Sequence, residues 1–311
     1  MSDHWVHNLD PVAIHLWGDI AIRWYGLAYL SGVVWGLWML VRWHRRQRCP
    51  LNPAEAQDFA LYGGLGMIVG GRLGYCLLYA FPHFVADPLY VFRLWEGGMA
   101  SHGGILGLAA GAWLYTQKRP VSFVLLTDMI ATVAPMGIML GRLANFVNGE
   151  LWGKPSDVPW AVIFPMSGDH LPRHPSQLYE AVLEGALLLA IILPFHARHR
   201  KPGLTMGVLL ALYAIVRFIG EFFREPDFGH PPYFGWMNKG QALSIPVMLI
   251  GIAIAIWAAR RPSRPELYAD TRRDAPVPVA ATGSVAPTAT PIAGESPAPP
   301  GKPLPHQPPT I

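Results

Sequence analysis

The chain has 311 residues, of which 52% are hydrophobic and only 14% charged, with a formal net charge of +4. An ordinary soluble domain is about 25% charged, so this composition cannot cover a soluble globule, and it equally excludes disorder over most of the length. The basic residues fall in short clusters between apolar runs, which is no nucleic-acid footprint, and Cys49 and Cys76 make neither a disulfide framework nor a zinc site.

Residues 1–17 hold Asp3 and Asp10, lack a basic start and have no apolar core, so no cleavable signal peptide is expected there. Seven apolar runs follow, each near the roughly 20 residues that a helix needs to cross a bilayer. The first, 18–41, opens on Arg23 and Tyr25. The second, 58–81, carries Arg72 and a ladder of Gly66, Gly70 and Gly74. The third, 98–116, begins with His102 and continues through Gly103, Gly107 and Gly111. The fourth, 122–144, closes on Arg142 and Asn145, and the fifth covers 178–195. The sixth, 204–223, repeats Tyr213, Arg217 and Glu221 every four residues, so they share one helix face, and the seventh covers 241–259. Open strands are excluded in lipid because every backbone polar group must be satisfied internally, and the alternation of a barrel is absent. The expected fold is an all-α integral membrane protein with seven transmembrane helices. From 262 to 311 the chain holds 13 Pro and 8 Ala without apolar periodicity. It reads as a disordered cytoplasmic tail behind a membrane domain of residues 1–261.

Fifteen Lys and Arg residues fall on the loops 42–57, 117–121 and 196–203 and on the tail, against five on the opposite loops. The positive-inside tendency then places the N-terminus outside and the C-terminus in the cytoplasm. With that orientation Arg23, Tyr25, Arg72, His102, Arg142, Asn145, Arg217 and Glu221 all lie in the outer half, which points to one polar site near the outer leaflet. Plainer readings stand beside this one. Tyr25 fits an interfacial belt, Arg23 and Arg72 fit snorkelling to headgroups, and Arg217 with Glu221 fits a structural salt bridge. The glycine ladders are accounted for by close helix packing. Asn148 and Glu150 crowd beside Arg142 and Asn145, which weakens a snorkelling account of that arginine.

Residues 141–153 read GRLANFVNGELWG. Gly141, Arg142, Asn145, Phe146, Asn148, Glu150 and Gly153 resemble, at every fixed position, the signature of the prolipoprotein diacylglyceryl transferase family. His102-Gly103-Gly104, the stretch from Arg173 to Glu180, and the stretch from Arg217 to Arg224 agree with it, and the likeness covers about residues 5–262. The resemblance implies a bacterial inner-membrane enzyme of seven spans with its N-terminus outside. It implies transfer of the diacylglyceryl group of phosphatidylglycerol to the lipobox cysteine in a prolipoprotein signal peptide, with a thioether formed and glycerol phosphate released. No metal or other cofactor is implied, and a monomer is expected.

Carried over residue by residue, the family roles put Arg142 and Arg217 on the lipid phosphate, with Asn145 and Gly153 shaping that pocket. His102 becomes the candidate general base, with Glu221 able to do the same work, and Tyr25, Tyr213 and Glu150 join the surrounding polar network. The chemistry needs a thiolate, cations on the departing phosphate and alignment of the attacked carbon. A polytopic transporter of an anionic lipid or solute is the alternative, but the midplane inverted repeats of that class are missing. An intramembrane peptidase would need a second aspartate beside Asp128, which stands alone in its run, or a nucleophile paired with histidine.

Overall fold

A computed structural model of the protein describes residues 4–17, 20–226, 233 and 235–269. The chain is mostly helical and, contrary to the all-α expectation, not wholly so. Strands β1 (Trp5–Val6), β4 (Val162–Ile163) and β5 (Pro172–Arg173) form one small sheet, with β1 parallel to β4 and β4 antiparallel to β5. A separate hairpin pairs β2 (Val12–Trp17) with β3 (Ile20–Arg23). That hairpin moves the start of the first helix: the β-branched residues Val12, Ile14, Ile20 and Ile22 favour extended backbone, and α1 begins only at Trp24 and runs to Arg45.

The other helices follow the expected intervals closely, with one exception. They are α2 (Pro53–Leu78), the short α3 (Phe81–Ala86), which no expected run covers, α4 (Ser101–Gln117) and α5 (Phe123–Val147). After the small sheet come α6 (Ser176–Glu180), a π-helical turn at Ala181–Leu187 and α7 (Leu188–Arg198), which run on without a break. The last two are α8 (Leu204–Gly220) and α9 (Lys239–Ala259). Among the described residues, five helical stretches are long and apolar enough to cross a membrane: α1, α2, α5, Ser176–Arg198 and α9. At 17 residues each, α4 and α8 are shorter. Leu30, Leu106 and Leu249 are 60%, 71% and 58% exposed on three of these helices, an apolar surface that water would oppose and hydrocarbon accepts.

Helix α2 packs along α4, α8 along α9 and α1 along α5. The α2–α4 contact is made by the two glycine ladders. A Cβ on Gly107 would strike the Gly66 carbonyl and stand 2.9 Å from the Gly70 Cα, and one on Gly74 would stand 2.9 Å from the Gly103 Cα. Backbone therefore rests on backbone, as close packing requires in lipid.

Two polar residues differ from their sequence reading. Arg72 does not snorkel. It is 2% exposed, donates to the carbonyls of Tyr90 (2.6 Å), Arg93 (2.9 Å), Val91 (3.1 Å) and Gly98 (3.2 Å), and also reaches that of Gly97. It pins the 90–98 loop beneath α2. Asp128 does not stand alone either: it accepts from the Gly203 and Met206 amides (2.8 and 2.9 Å), capping α8 from α5, and from the Tyr268 hydroxyl (3.1 Å). Tyr268 is 1% exposed within the main core of Met39, Trp43, Leu51, Leu125 and their neighbours. The folded chain thus continues past the expected boundary at 262, and residues 270–311, the rest of the expected tail, lie outside the described residues.

Candidate active site

At the end of the bundle away from Tyr268, three helices converge. The last turns of α5 present Arg142 and Asn145, and α6 with its π turn presents Glu180 and Glu184. The last turns of α8 present Tyr213 and Arg217, with Glu221 just beyond. The π turn packs on α5 through Gly185, whose Cβ would stand 2.9 Å from the Met139 Cα. π-Helical turns inside α-helices recur at functional sites because the extra residue locally opens the backbone ladder.

The charges interlock. Arg142 donates through Nε and Nη2 to one oxygen of Glu184 (3.2 and 3.1 Å) and pairs through Nη1 with Glu180 (3.1 Å). Arg217 pairs with the same two carboxylates, Glu180 at 2.7 Å and Glu184 at 3.1 Å, and with Glu221. Arg224 approaches Glu180 at 3.4 Å. Glu180 and Glu184 are 1% and 0% exposed. Tyr213 lies within electrostatic reach of Arg142, Arg217, Glu180 and Glu184. Three arginines and three glutamates balance one another, which offsets the cost of holding six charges away from water.

A second polar group adjoins the first in sequence. Asn145 and Asn148 donate to the Glu150 carboxylate at 2.8 and 3.3 Å, and Gln177 donates to the Glu150 carbonyl at 2.7 Å. Tyr29 lies within electrostatic reach of Glu150 and packs at 5.2 Å on Tyr25. Gly153 sits where three backbone segments cross. Its amide donates to the His174 carbonyl (2.9 Å), and a Cβ would meet the carbonyls of His174 at 2.5 Å and Phe223 at 2.6 Å. Beside it Arg173 donates to the Gly153 carbonyl and pairs with Glu225, both at 3.1 Å. Arg173 also pairs with Asp169, and its guanidinium holds that carboxyl below the usual carboxylate range.

A cavity of about 250 Å3 opens between the end of α8, the 153–154 segment and the start of α9. Its wall carries the cations Lys154, Arg217, Arg224 and Lys239 and the carboxylates Glu221 and Glu225. Arg217 is common to the buried cluster and to this wall. A Cβ on Gly240 would strike the Glu221 carboxylate, so a side chain at the first turn of α9 would displace that carboxylate from its present position.

The structure brings Arg142, Arg217, Glu221 and Tyr213 together, and Asn145 with Glu150. It leaves His102 apart: the imidazole is exposed at the second residue of α4 and has no hydrogen bond or ion pair among the described residues. Glu184 was not singled out by the sequence, and Glu180 appeared only inside a matching stretch. Two glutamates four residues apart in the apolar run 178–195 were the available signal, since intramembrane charges mark function. Among the described residues no group of His, Cys, Asp and Glu is arranged to hold a metal.

The model of the family described as prolipoprotein diacylglyceryl transferase matches residues 11–257. Relatives named phosphatidylglycerol–prolipoprotein diacylglyceryl transferase include one from Idiomarina loihiensis, 44% identical over 264 residues, which cover 84% of this chain and 97% of the relative. One from Cupriavidus pinatubonensis is 45% identical over 83% of this chain and 94% of its own length. One from Methylococcus capsulatus is 46% identical over 82% and 97%.

Proposed function

Because the chain belongs to the prolipoprotein diacylglyceryl transferase family, we propose that its interlocked arginines and glutamates form the site that moves a diacylglyceryl group from phosphatidylglycerol to the lipobox cysteine of a prolipoprotein. In that reaction the cysteine sulfur bonds to the terminal glyceryl carbon. The carbon–oxygen bond to the phosphate breaks, and glycerol phosphate leaves with the electron pair. The thiol proton goes to a protein base, since a thiol of ordinary pKa near 8.5 is mostly protonated at neutral pH.

One observation carries the assignment: Arg217 is tied to the buried carboxylates and also forms part of a cavity wall bearing three further cations. Guanidinium groups at fixed positions stabilise negative charge as it develops on a leaving phosphate. Arg142 joins Arg217 on the phosphate, and Glu180 and Glu184 occupy both forks until the phosphate competes for them. Tyr213 borders the pair, Asn145 and Glu150 brace the end of α5, and Tyr25 adjoins that brace through Tyr29. Gly153 lets the Arg173 and Arg224 segments close around the cavity. Two candidates serve as the base, His102 and Glu221, and Glu221 is the one that lines the cavity.

The site faces the outer leaflet of the bacterial cytoplasmic membrane in a seven-span monomer with its N-terminus outside, a reading supported by the basic loops at the opposite end. The assay is transfer from labelled phosphatidylglycerol to a lipobox peptide in membranes with matched protein levels. Arg217→Lys keeps the charge and loses the fork, so turnover falls at least about a hundredfold, roughly 2.7 kcal/mol. Turnover within threefold of the parent would remove Arg217 from the phosphate.

A further inference from the structure

The opposite end of the bundle is built around the close of α1. Arg48 donates its amide to the Trp43 carbonyl (2.8 Å) and Gln47 donates to that of His44 (2.9 Å). This is a Schellman closure, with Gln47 in the left-handed region at φ 55°, where glycine is the favoured residue. The closure turns Arg48 back toward the core. Among the described residues its Nη1 is shielded from solvent without a hydrogen-bond partner, and the same is true of Nε1 of Trp43, a residue 4% exposed. Trp43 packs edge-on against His196 (5.1 Å), and His196 adjoins Tyr268 (5.9 Å).

Arg48 also faces a second cation. Burial, and after it the like charge of Arg200, push the Arg48 guanidinium below its ordinary value, with Tyr268 acting the other way. Among the described residues no carboxylate pairs with Arg48 or Arg200. Asp128 is engaged by two amides and the Tyr268 hydroxyl. The Arg200 backbone is tied to the segment after α9 through its carbonyl, which accepts from the Arg264 amide (2.8 Å) and the Ser263 hydroxyl (3.2 Å). A guanidinium with a shielded, unpaired donor beside a second cation matches an anion rich in acceptor oxygens.

We propose that Arg48 and Arg200 form a second anion site, for a phosphate group, at the end of the bundle remote from the transferase cluster. The phosphate belongs either to an acidic phospholipid headgroup at that membrane surface or to free phosphate, and both offer the same oxygens to the same forks.

The test uses the full chain, delipidated in neutral detergent, with thermal unfolding midpoints read for the parent, Arg48→Gln, Arg200→Gln and Arg46→Gln. Arg46, exposed on the same loop, reports unspecific attraction to a basic surface. Without phosphate anions, Arg48→Gln unfolds at or above the parent midpoint, because an unneutralised half-buried charge has gone. Added phosphatidic acid raises the parent and Arg46→Gln by about 3–5 °C, while Arg48→Gln and Arg200→Gln rise by less than a third of that. Phosphatidylcholine raises none of them. If inorganic phosphate at matched ionic strength reproduces the shift, the ligand is free phosphate; if only the lipid does, it is the headgroup; either result supports the site. The proposal is overturned if both glutamine variants respond as the parent does, or if Arg48→Gln is several degrees less stable with no phosphate present, which would make Arg48 an internal structural donor. Should Arg48→Gln fail to accumulate, Arg200→Gln carries the same comparison from a different element.

Discussion

Arg142 grips two carboxylates with three nitrogens, Nε and Nη2 on Glu184 and Nη1 on Glu180. An ammonium cannot span both, because it is a point charge on a flexible stem. Arg142→Lys is therefore expected to lower transfer from labelled phosphatidylglycerol at least about a hundredfold, roughly 2.7 kcal/mol of transition-state stabilisation. Activity within threefold of the parent would leave the phosphate to Arg217. Glu184→Gln tests the other half of the lattice. The amide keeps the shape but removes one charge that both arginines use, and breaking a buried pair costs about 3–5 kcal/mol. The expected result is a lower unfolding midpoint together with at least tenfold slower transfer, and an unchanged midpoint would show that Glu184 is dispensable to the lattice. Arg142 and Arg217 were legible in the sequence because they interrupt apolar runs. Their partners were not, because the pairing crosses from α5 and α8 to α6, and local spacing carries no record of contacts between helices. Arg72 was misread for the same reason: hydropathy registers the arginine but not the loop carbonyls that surround it.

Among the elements, the α2–α4 pair was the most readable, since glycine at every fourth position clears a side-chain-free strip along each of two neighbouring runs. Its backbone contact also makes it sensitive. Gly107→Ala sets a methyl against the Gly66 carbonyl and the Gly70 Cα, so the helices must separate, at a cost of about 1–3 kcal/mol. The measurement is the unfolding midpoint in detergent. Gly64→Ala on α2, where a Cβ would meet nothing within 4 Å, is the control and should leave it unchanged. The β2–β3 hairpin was the least readable. Its apolar residues 20–22 fall inside the expected first run, 18–41, and a short apolar stretch does not declare helix or strand by periodicity alone.

For the whole molecule, the end of the fold and its orientation are both open to measurement. A proline-rich composition placed the boundary at 262, yet one tyrosine in that segment is buried against Asp128 and the main core. Composition averages over a window and cannot register a single anchored ring. Truncation after Arg273 keeps Tyr268 and should leave stability and transfer unchanged. Truncation after Arg264 removes it and should cost about 3–5 kcal/mol, the scale of deleting a large buried side chain, read as a lower midpoint. Orientation is checked in intact cells lacking Cys49: cysteine at the exposed Met166 should react with a membrane-impermeant thiol reagent, and cysteine at Gln47 should not. The stretch from Ser176 to Arg198 links the two ends, since it presents Glu180 and Glu184 to the arginines and, two turns after the π segment, His196 to Thr205 at 3.0 Å. The π segment acts here as a phase setting between two fixed faces. Deleting one residue within 181–187 would turn one end by roughly 100° against the other. That would swing either the glutamates or His196 into lipid while leaving the length and hydropathy of the span almost untouched.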